Sequence, residues 1–219
     1  MRVRAGWFVL ALVLLFTTAC LPPLGSTDAP WLGPAAGPQL VVLGDSITWQ
    51  AQGNYDLETD KFHLLSDDLA ADGWRVSVSS MIGANLTDAS DTWDALGNKS
   101  PTDSVIIALG TNDLKDATDT TTASAQLSSI VAAIREAAPG VCIAVVGVNE
   151  GASNWWADPA TPTEWNQAVP GLVDVFAPWV PDPAWMDPGD VHFNGEAGRA
   201  AYRLTIEGAA DACAGRSPR

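Results

Sequence analysis

The chain predicts an α/β fold, a three-layer α/β/α sandwich built on a parallel sheet of about five strands. Strand-length apolar runs alternate with helical patterns from residue 39 to residue 213, the order expected of strands joined by crossover helices. The first run, Gln39-Leu40-Val41-Val42-Leu43, is apolar from Leu40 on, as a strand covered on both faces is. No internal repeat breaks the order.

The first strand covers Leu40 to Leu43 and ends at Gly44, where a missing side chain permits a sharp turn. An amphipathic helix is expected from Lys61 to Ala71, stopped by Asp72-Gly73. The second strand runs from Trp74 to Ser79, followed by a short helix from Thr87 to Leu96. The third strand is Val105 to Leu109. Thr120-Thr121-Thr122 then cap a helix whose Leu127, Ile130, Val131 and Ile134 recur at i, i+3, i+4 and i+7, one apolar stripe for the sheet. Pro139-Gly140 stops it before a fourth strand, Val141 to Val148. A helix near Thr163 to Phe176 is interrupted by Pro170, and a weak fifth strand is expected near Trp179 to Met186. Asn194 is the expected N-cap of the last helix, with Ala197, Ala201, Leu204 and Gly208 toward the core.

The first 19 residues lie outside this scheme and read as a signal peptide. Arg2 and Arg4 open it, the apolar stretch from Trp7 to Phe16 follows, and Thr17-Thr18-Ala19 precede Cys20. Cys20 suits a bacterial lipoprotein whose first mature residue is lipidated, although Thr17 stands where such sites favour a leucine-like residue. Ordinary secretion is the alternative. The apolar run is short for a membrane span. Residues 20–38, rich in Pro and Gly, read as a tether, residues 39–213 as the domain and residues 214–219 as a tail.

The length of 219 residues and the 47% hydrophobic content suit one globular domain. The net charge is −15, and removal of the leader takes away two arginines and no acid, leaving −17 (nine bases against 26 acids). Such a surface repels nucleic acid and anionic membrane. A soluble monomer outside the cell is expected, with a membrane tether only through Cys20.

Chemistry is suggested by Gly44-Asp45-Ser46-Ile47 at the end of the first strand, where open α/β sheets bind ligands. A serine becomes a nucleophile only when a base takes its proton. Two histidines are available. His63 lies in a helical pattern and reads as a partly exposed helix residue. His192 lies in the turn-rich Asp187-Pro188-Gly189-Asp190-Val191-His192, beside aspartates, and is the better base. Gly83 follows the second strand, and Gly110-Thr111-Asn112-Asp113 follows the third. Ser46, Gly83, Asn112 and His192 therefore all fall after strands, at one rim of the sheet.

These blocks resemble the SGNH, or GDSL-type, hydrolase family over roughly residues 39 to 212. The resemblance implies a flavodoxin-like sheet and a serine esterase. It implies Ser46 as nucleophile, His192 as base, and an oxyanion hole made by the N–H groups of Ser46 and Gly83 and the amide of Asn112. The family usually places an acid three residues before the histidine, where this chain has Gly189. Asp190, two before, points to the same side as the histidine in extended chain and is the preferred acid. Asp187 and a backbone carbonyl remain alternatives. Asp45 and Asp113 are expected to brace their loops.

Trp49, just after the nucleophile, and Trp155, in the loop after the fourth strand, are candidate substrate contacts, as is Trp156. Each serves equally well as loop packing. Cys142 begins a strand and Cys213 ends the last helix, so both reach the pole opposite the site. A secreted location would let them pair as a disulfide. No cofactor or metal is expected, because the two histidines are far apart and lack metal-ligand spacing. The reading is an esterase for acylated carbohydrates or small lipid esters. A non-catalytic binder of acylated ligands, supported by the irregular acid position, and an acyltransferase are the alternatives.

Overall fold

The computed structural model describes residues 31–53, 55–56, 61–62, 65–96, 99, 102–115 and 119–215. The expected leader, Cys20, most of the tether, His63 and residues 216–219 lie outside the described residues.

The main sheet has five strands, all parallel: β1 (Gln39–Gly44), β2 (Arg75–Ser80), β3 (Ser104–Ala108), β4 (Cys142–Val146) and β5 (Val175–Ala177). Their spatial order is β2-β1-β3-β4-β5, so the chain steps from β1 to one side and then crosses to the other. The register pairs Gly44 with Ser80 on one side and with Ala108 on the other, which levels the carboxyl ends of the three central strands. Leu40 to Leu43 and all of β3 are buried, because helices cover both faces. Helices α1 (Ser46–Gln52), α2 (Leu65–Ala71) and α7 (Glu196–Cys213) contact one another in one layer. Helices α3 (Leu86–Ala95), α4 (Thr111–Lys115), α5 (Thr120–Ala137) and α6 (Thr161–Ala168) form the other. Leu127, Ile130, Val131 and Ile134 of α5 are buried, the stripe its periodicity marks.

Several expectations need correction. The helix expected from Thr163 to Phe176 spans Thr161–Ala168 and gives way to a 3₁₀ turn at Val169–Gly171, and the cap of α5 is Asp119 rather than Thr120–Thr122. The helix expected from Lys61 begins at Leu65, because Lys61 and Phe62 pair with Asp56 and Tyr55 in a small antiparallel ribbon. The fifth strand is Val175–Ala177, not Trp179 to Met186. The later segment carries Pro181 and Pro183, which cannot donate to a ladder, and it contains a 3₁₀ turn at Pro183–Trp185. In α7 the buried face is Gly198, Tyr202, Arg203, Ile206, Ala209, Ala210 and Asp211, while Leu204 is exposed. The N-cap of α7 is Gly195 and not Asn194, whose Nδ2 donates to the carbonyls of Ala184 and Met186 at 2.9 Å each.

Residues 31–38, expected as tether, lie on the outer edge of β2. Leu32 N–H donates to Val76 O at 2.9 Å, Val76 N–H returns the bond at 2.8 Å, and the Arg75 guanidinium covers the Trp31 ring. At the amino end of the sheet, Cys142 and Cys213 form a disulfide with a Cα–Cα distance of 5.5 Å. It ties β4 to the end of α7.

Candidate active site

Ser46 opens α1 directly after β1, and Asn112 lies in the first turn of α4 directly after β3. Both stand at the crevice where the strand order reverses, the usual ligand site of such sheets. Asp45 is the N-cap of α1, its Oδ1 accepting the Ile47 N–H at 2.9 Å. That cap fixes the turn that presents the Ser46 hydroxyl.

The Ser46 Oγ lies 2.9 Å from His192 Nε2, and His192 Nδ1 lies 2.8 Å from Asp190 Oδ1. A neutral imidazole with its proton on Nδ1 satisfies both contacts, donating to Asp190 and accepting from Ser46. Asp190 Oδ1 also accepts the backbone N–H of Val191 at 2.6 Å and of His192 at 3.2 Å. Partial burial opposes ionisation of Asp190, but the His192 ring and these N–H groups outweigh it and hold the carboxyl below its ordinary range. The carboxylate is therefore charged at neutral pH and aimed at the ring.

The hairpin bearing this pair is closed by three bonds. Asp187 N–H donates to His192 O at 2.9 Å, Asp190 N–H donates to Asp187 O at 2.9 Å, and Phe193 N–H donates to Gln50 Oε1 at 3.2 Å. The last bond fastens the hairpin to α1, one turn beyond Ser46. Asp187 contributes its backbone here, and its side chain is exposed. Gly189 has φ +73°, and an added Cβ would overlap the Asn154 side chain. This accounts for the missing acid three before His192: the turn needs a glycine there, and the carboxylate comes one residue later.

Gly83 sits with φ +80° in a turn closed by Ala84 N–H on Met81 O at 3.1 Å, and Met81 N–H donates to Gly44 O at 3.1 Å. The Asn112 Nδ2 donates to Ala84 O at 2.8 Å, so one amide hydrogen locks Asn112 to the Gly83 turn and the other meets no acceptor among the described residues. Asp113 accepts the Leu86 N–H on both oxygens at 3.2 Å, bracing the same turn.

Trp155 packs on His192 at 5.3 Å between ring centroids with a 77° interplanar angle. Trp49 is 48% exposed, three residues beyond Ser46 on α1. Trp156 is buried, with Nε1 donating to Asn149 O at 3.0 Å, and so serves the loop. Sequence reasoning did not single out Gln50, Asn154 or Lys115. Their contacts join segments far apart in the sequence, and no local pattern marks them.

Residues 42–200 match the model of the GDSL-like lipase/acylhydrolase family. No curated protein matches the chain. Among solved structures, an extracellular lipase from Streptomyces rimosus aligns with TM-score 0.58 and 18% identity over 78% of this chain and 99% of that one. A carbohydrate esterase family 2 enzyme with a carbohydrate-binding domain from Corynascus thermopiles aligns with TM-score 0.62 and 21% identity over 84% and 68%. An acetyl-xylooligosaccharide esterase mutant from Geobacillus aligns with TM-score 0.59 and 18% identity over 81% and 94%. At these identities the likeness is one of fold.

Proposed function

We propose, from the premise that the chain belongs to the GDSL-like lipase/acylhydrolase family and is an ester-hydrolysing enzyme, that it works through an acyl-enzyme on Ser46. The observation that carries this reading is the unbroken run of contacts from Ser46 Oγ through His192 to Asp190, at 2.9 and 2.8 Å.

His192 Nε2 takes the Ser46 proton as Oγ attacks the ester carbonyl. The carbonyl oxygen becomes an oxyanion held by the N–H groups of Ser46 and Gly83 and the free amide hydrogen of Asn112. Collapse of the tetrahedral centre expels the alcohol, which leaves with the proton from His192. Water then attacks the acyl-enzyme by the same route and releases the carboxylic acid. Asp190 holds the ring in its tautomer and stabilises the imidazolium between the two proton transfers. The Asp190–His192 bond supports the catalytic reading over a non-catalytic binder.

The acylated carbohydrates and small lipid esters expected from the sequence remain the substrate classes of choice. The carbohydrate esterases and the lipase of similar fold support both. Secretion or surface tethering through Cys20 is supported by the charged and apolar leader and by the Cys142–Cys213 disulfide, which needs an oxidising compartment.

A serine-directed fluorophosphonate tests the site. Labelling that maps to Ser46, and turnover of a short chromogenic ester that Ser46→Ala abolishes, are expected. Turnover undiminished by Ser46→Ala would overturn the assignment. Mass analysis of the mature amino terminus tests processing, with a lipid on Cys20 expected.

A further inference from the structure

We infer that Trp155, pinned by Lys115, is a positioning residue for His192: a strap that ties the helix bearing Asn112 to the base across the cleft. The inference rests on the triad reading above. Its first support is contact. The indole meets the His192 ring at 5.3 Å and 77°, and the Lys115 Nζ stands 3.9 Å from the indole centroid. Lys115 is three residues beyond Asn112 on α4, so both side chains leave the same side of the helix. Asn112, Lys115, Trp155 and His192 thus form one physical bridge between the two halves of the site.

The second support is how little else orients the indole. Its Nε1 is buried and meets no hydrogen-bond partner among the described residues, so no polar bond from them sets the ring's rotation. Lys115 stacks where a bond would otherwise be needed. Lys99, Arg135, Arg199 and Arg203 each pair with a carboxylate, whereas the contact of Lys115 is the indole face.

The third support is the rigidity of the strap's frame. Val148 N–H donates to Asn166 Oδ1 at 3.0 Å, and Asn166 Nδ2 returns the bond to Val148 O at 2.9 Å, so the loop leaves β4 clamped to α6. Trp155 N–H donates to Ala152 O at 2.9 Å. The neighbouring Asn154 N–H donates to Gly189 O at 3.0 Å, inside the hairpin that carries Asp190 and His192. Two successive residues of one loop therefore hold that hairpin, one by backbone and one by ring. Among the described residues, the charged groups linked to His192 are Asp190 in its own loop, Asp45 electrostatically and Lys115 through the indole.

A strap of this kind acts on turnover rather than on binding. Trp155→Ala is expected to lower kcat roughly ten- to hundredfold with little change in KM, since small misplacement of a catalytic group costs up to about that much. Trp155→Phe, which keeps a ring against His192, recovers most of the loss. Lys115→Met lowers kcat by roughly two- to fivefold, and adds nothing in the Trp155→Ala background because it acts through the indole. A readout independent of activity is the downfield proton NMR signal of the Nδ1–H shared by His192 and Asp190. It is expected to broaden in Trp155→Ala and to remain sharp in Trp155→Phe. An unchanged signal in Trp155→Ala, a rise in KM without loss of kcat, or independent losses from the two substitutions would each overturn the strap. Failure of the hydrolase reading would look different: Ser46→Ala would keep full turnover.

Discussion

Gly189 and Asn154 interlock: the Asn154 backbone donates to Gly189 O at 3.0 Å, and the Asn154 side chain fills the space a Cβ at position 189 would need. The hairpin that aims Asp190 at His192 is therefore shaped by a neighbouring loop as well as by its own turn. Gly189→Ala combines that overlap with a positive φ of +73°. It is expected to destabilise the protein by about 1–2 kcal/mol and to lower kcat with it. Thermal unfolding and steady-state kinetics check both; an unchanged variant would mean the contact is slack.

Asp190, not Asp187, is expected to govern turnover. Asp190→Asn removes the acceptor that fixes the Nδ1–H tautomer, and a loss of roughly a hundred- to ten-thousandfold in kcat is expected. Asp187→Asn leaves the backbone bond to His192 O intact and should stay within about twofold of wild type. Gly189→Asp should not restore turnover to Asp190→Asn, because its backbone cannot carry a side chain there without moving Asn154. Restoration would show that the hairpin adapts.

Asn112→Ala is expected to cost roughly a hundredfold or more in kcat, the usual effect of removing one oxyanion donor. The substitution also frees Ala84 O from its 2.8 Å bond, so a small loss of stability accompanies it. A fall in kcat with KM near wild type supports the oxyanion role. A change confined to stability would assign Asn112 to bracing the Gly83 turn.

The site was legible because parallel sheets place strand-following residues at one edge. Ser46 and Asn112 each follow a strong apolar strand and Gly83 follows the alternating Arg75–Ser80, so the order of blocks along the chain maps directly onto space. Legibility failed where burial depends on pairing rather than on apolarity. Arg203 lies inward on α7 because Asp68 and Glu196 pair with its Nε and Nη2, at 2.9 and 2.6 Å, and Tyr202 because its hydroxyl meets Thr48. A reading by apolar periodicity counts both as outward and shifts the face onto Leu204. The three-residue β5 is an edge strand too short to carry a pattern, and it follows directly on a helix-like stretch around Pro170. Lys115 on α4 and Asn154 in its loop act on segments far away in the chain, and nothing in the sequence records that proximity.

The Cys142–Cys213 bridge closes a separation of 71 residues at the end of the molecule opposite Ser46. On the loop-closure argument it stabilises the fold by about 4 kcal/mol. Replacing both cysteines by serine should lower the unfolding midpoint markedly. Specific activity well below that midpoint should stay near wild type, since no contact of the triad involves either residue. A large loss of kcat at low temperature would couple the bridge to the site.

Asp45 gives the fold a pH dependence of known sign. Its side chain is 1% exposed, and burial, opposed by the bond from Ile47, pushes the carboxyl up from 3.8 to about 6. In the unfolded chain the group ionises near its ordinary value, so between the two values the folded state binds a proton that the unfolded state does not. Its favourable contribution is complete below the unfolded value and is lost as pH rises through about 6. Above that, folding must bury a charge that the Ile47 N–H and the Thr111 hydroxyl offset only in part. Asn at this position keeps an oxygen for the Ile47 N–H and serves equally well as an N-cap, but it cannot ionise. Asp45→Asn is therefore expected to exceed wild type in stability at about pH 8, by on the order of 3 kcal/mol, and to show no gain at about pH 4. Urea unfolding at the two pH values checks the difference. A gain of equal size at both would trace the effect to packing and remove the buried charge from the account.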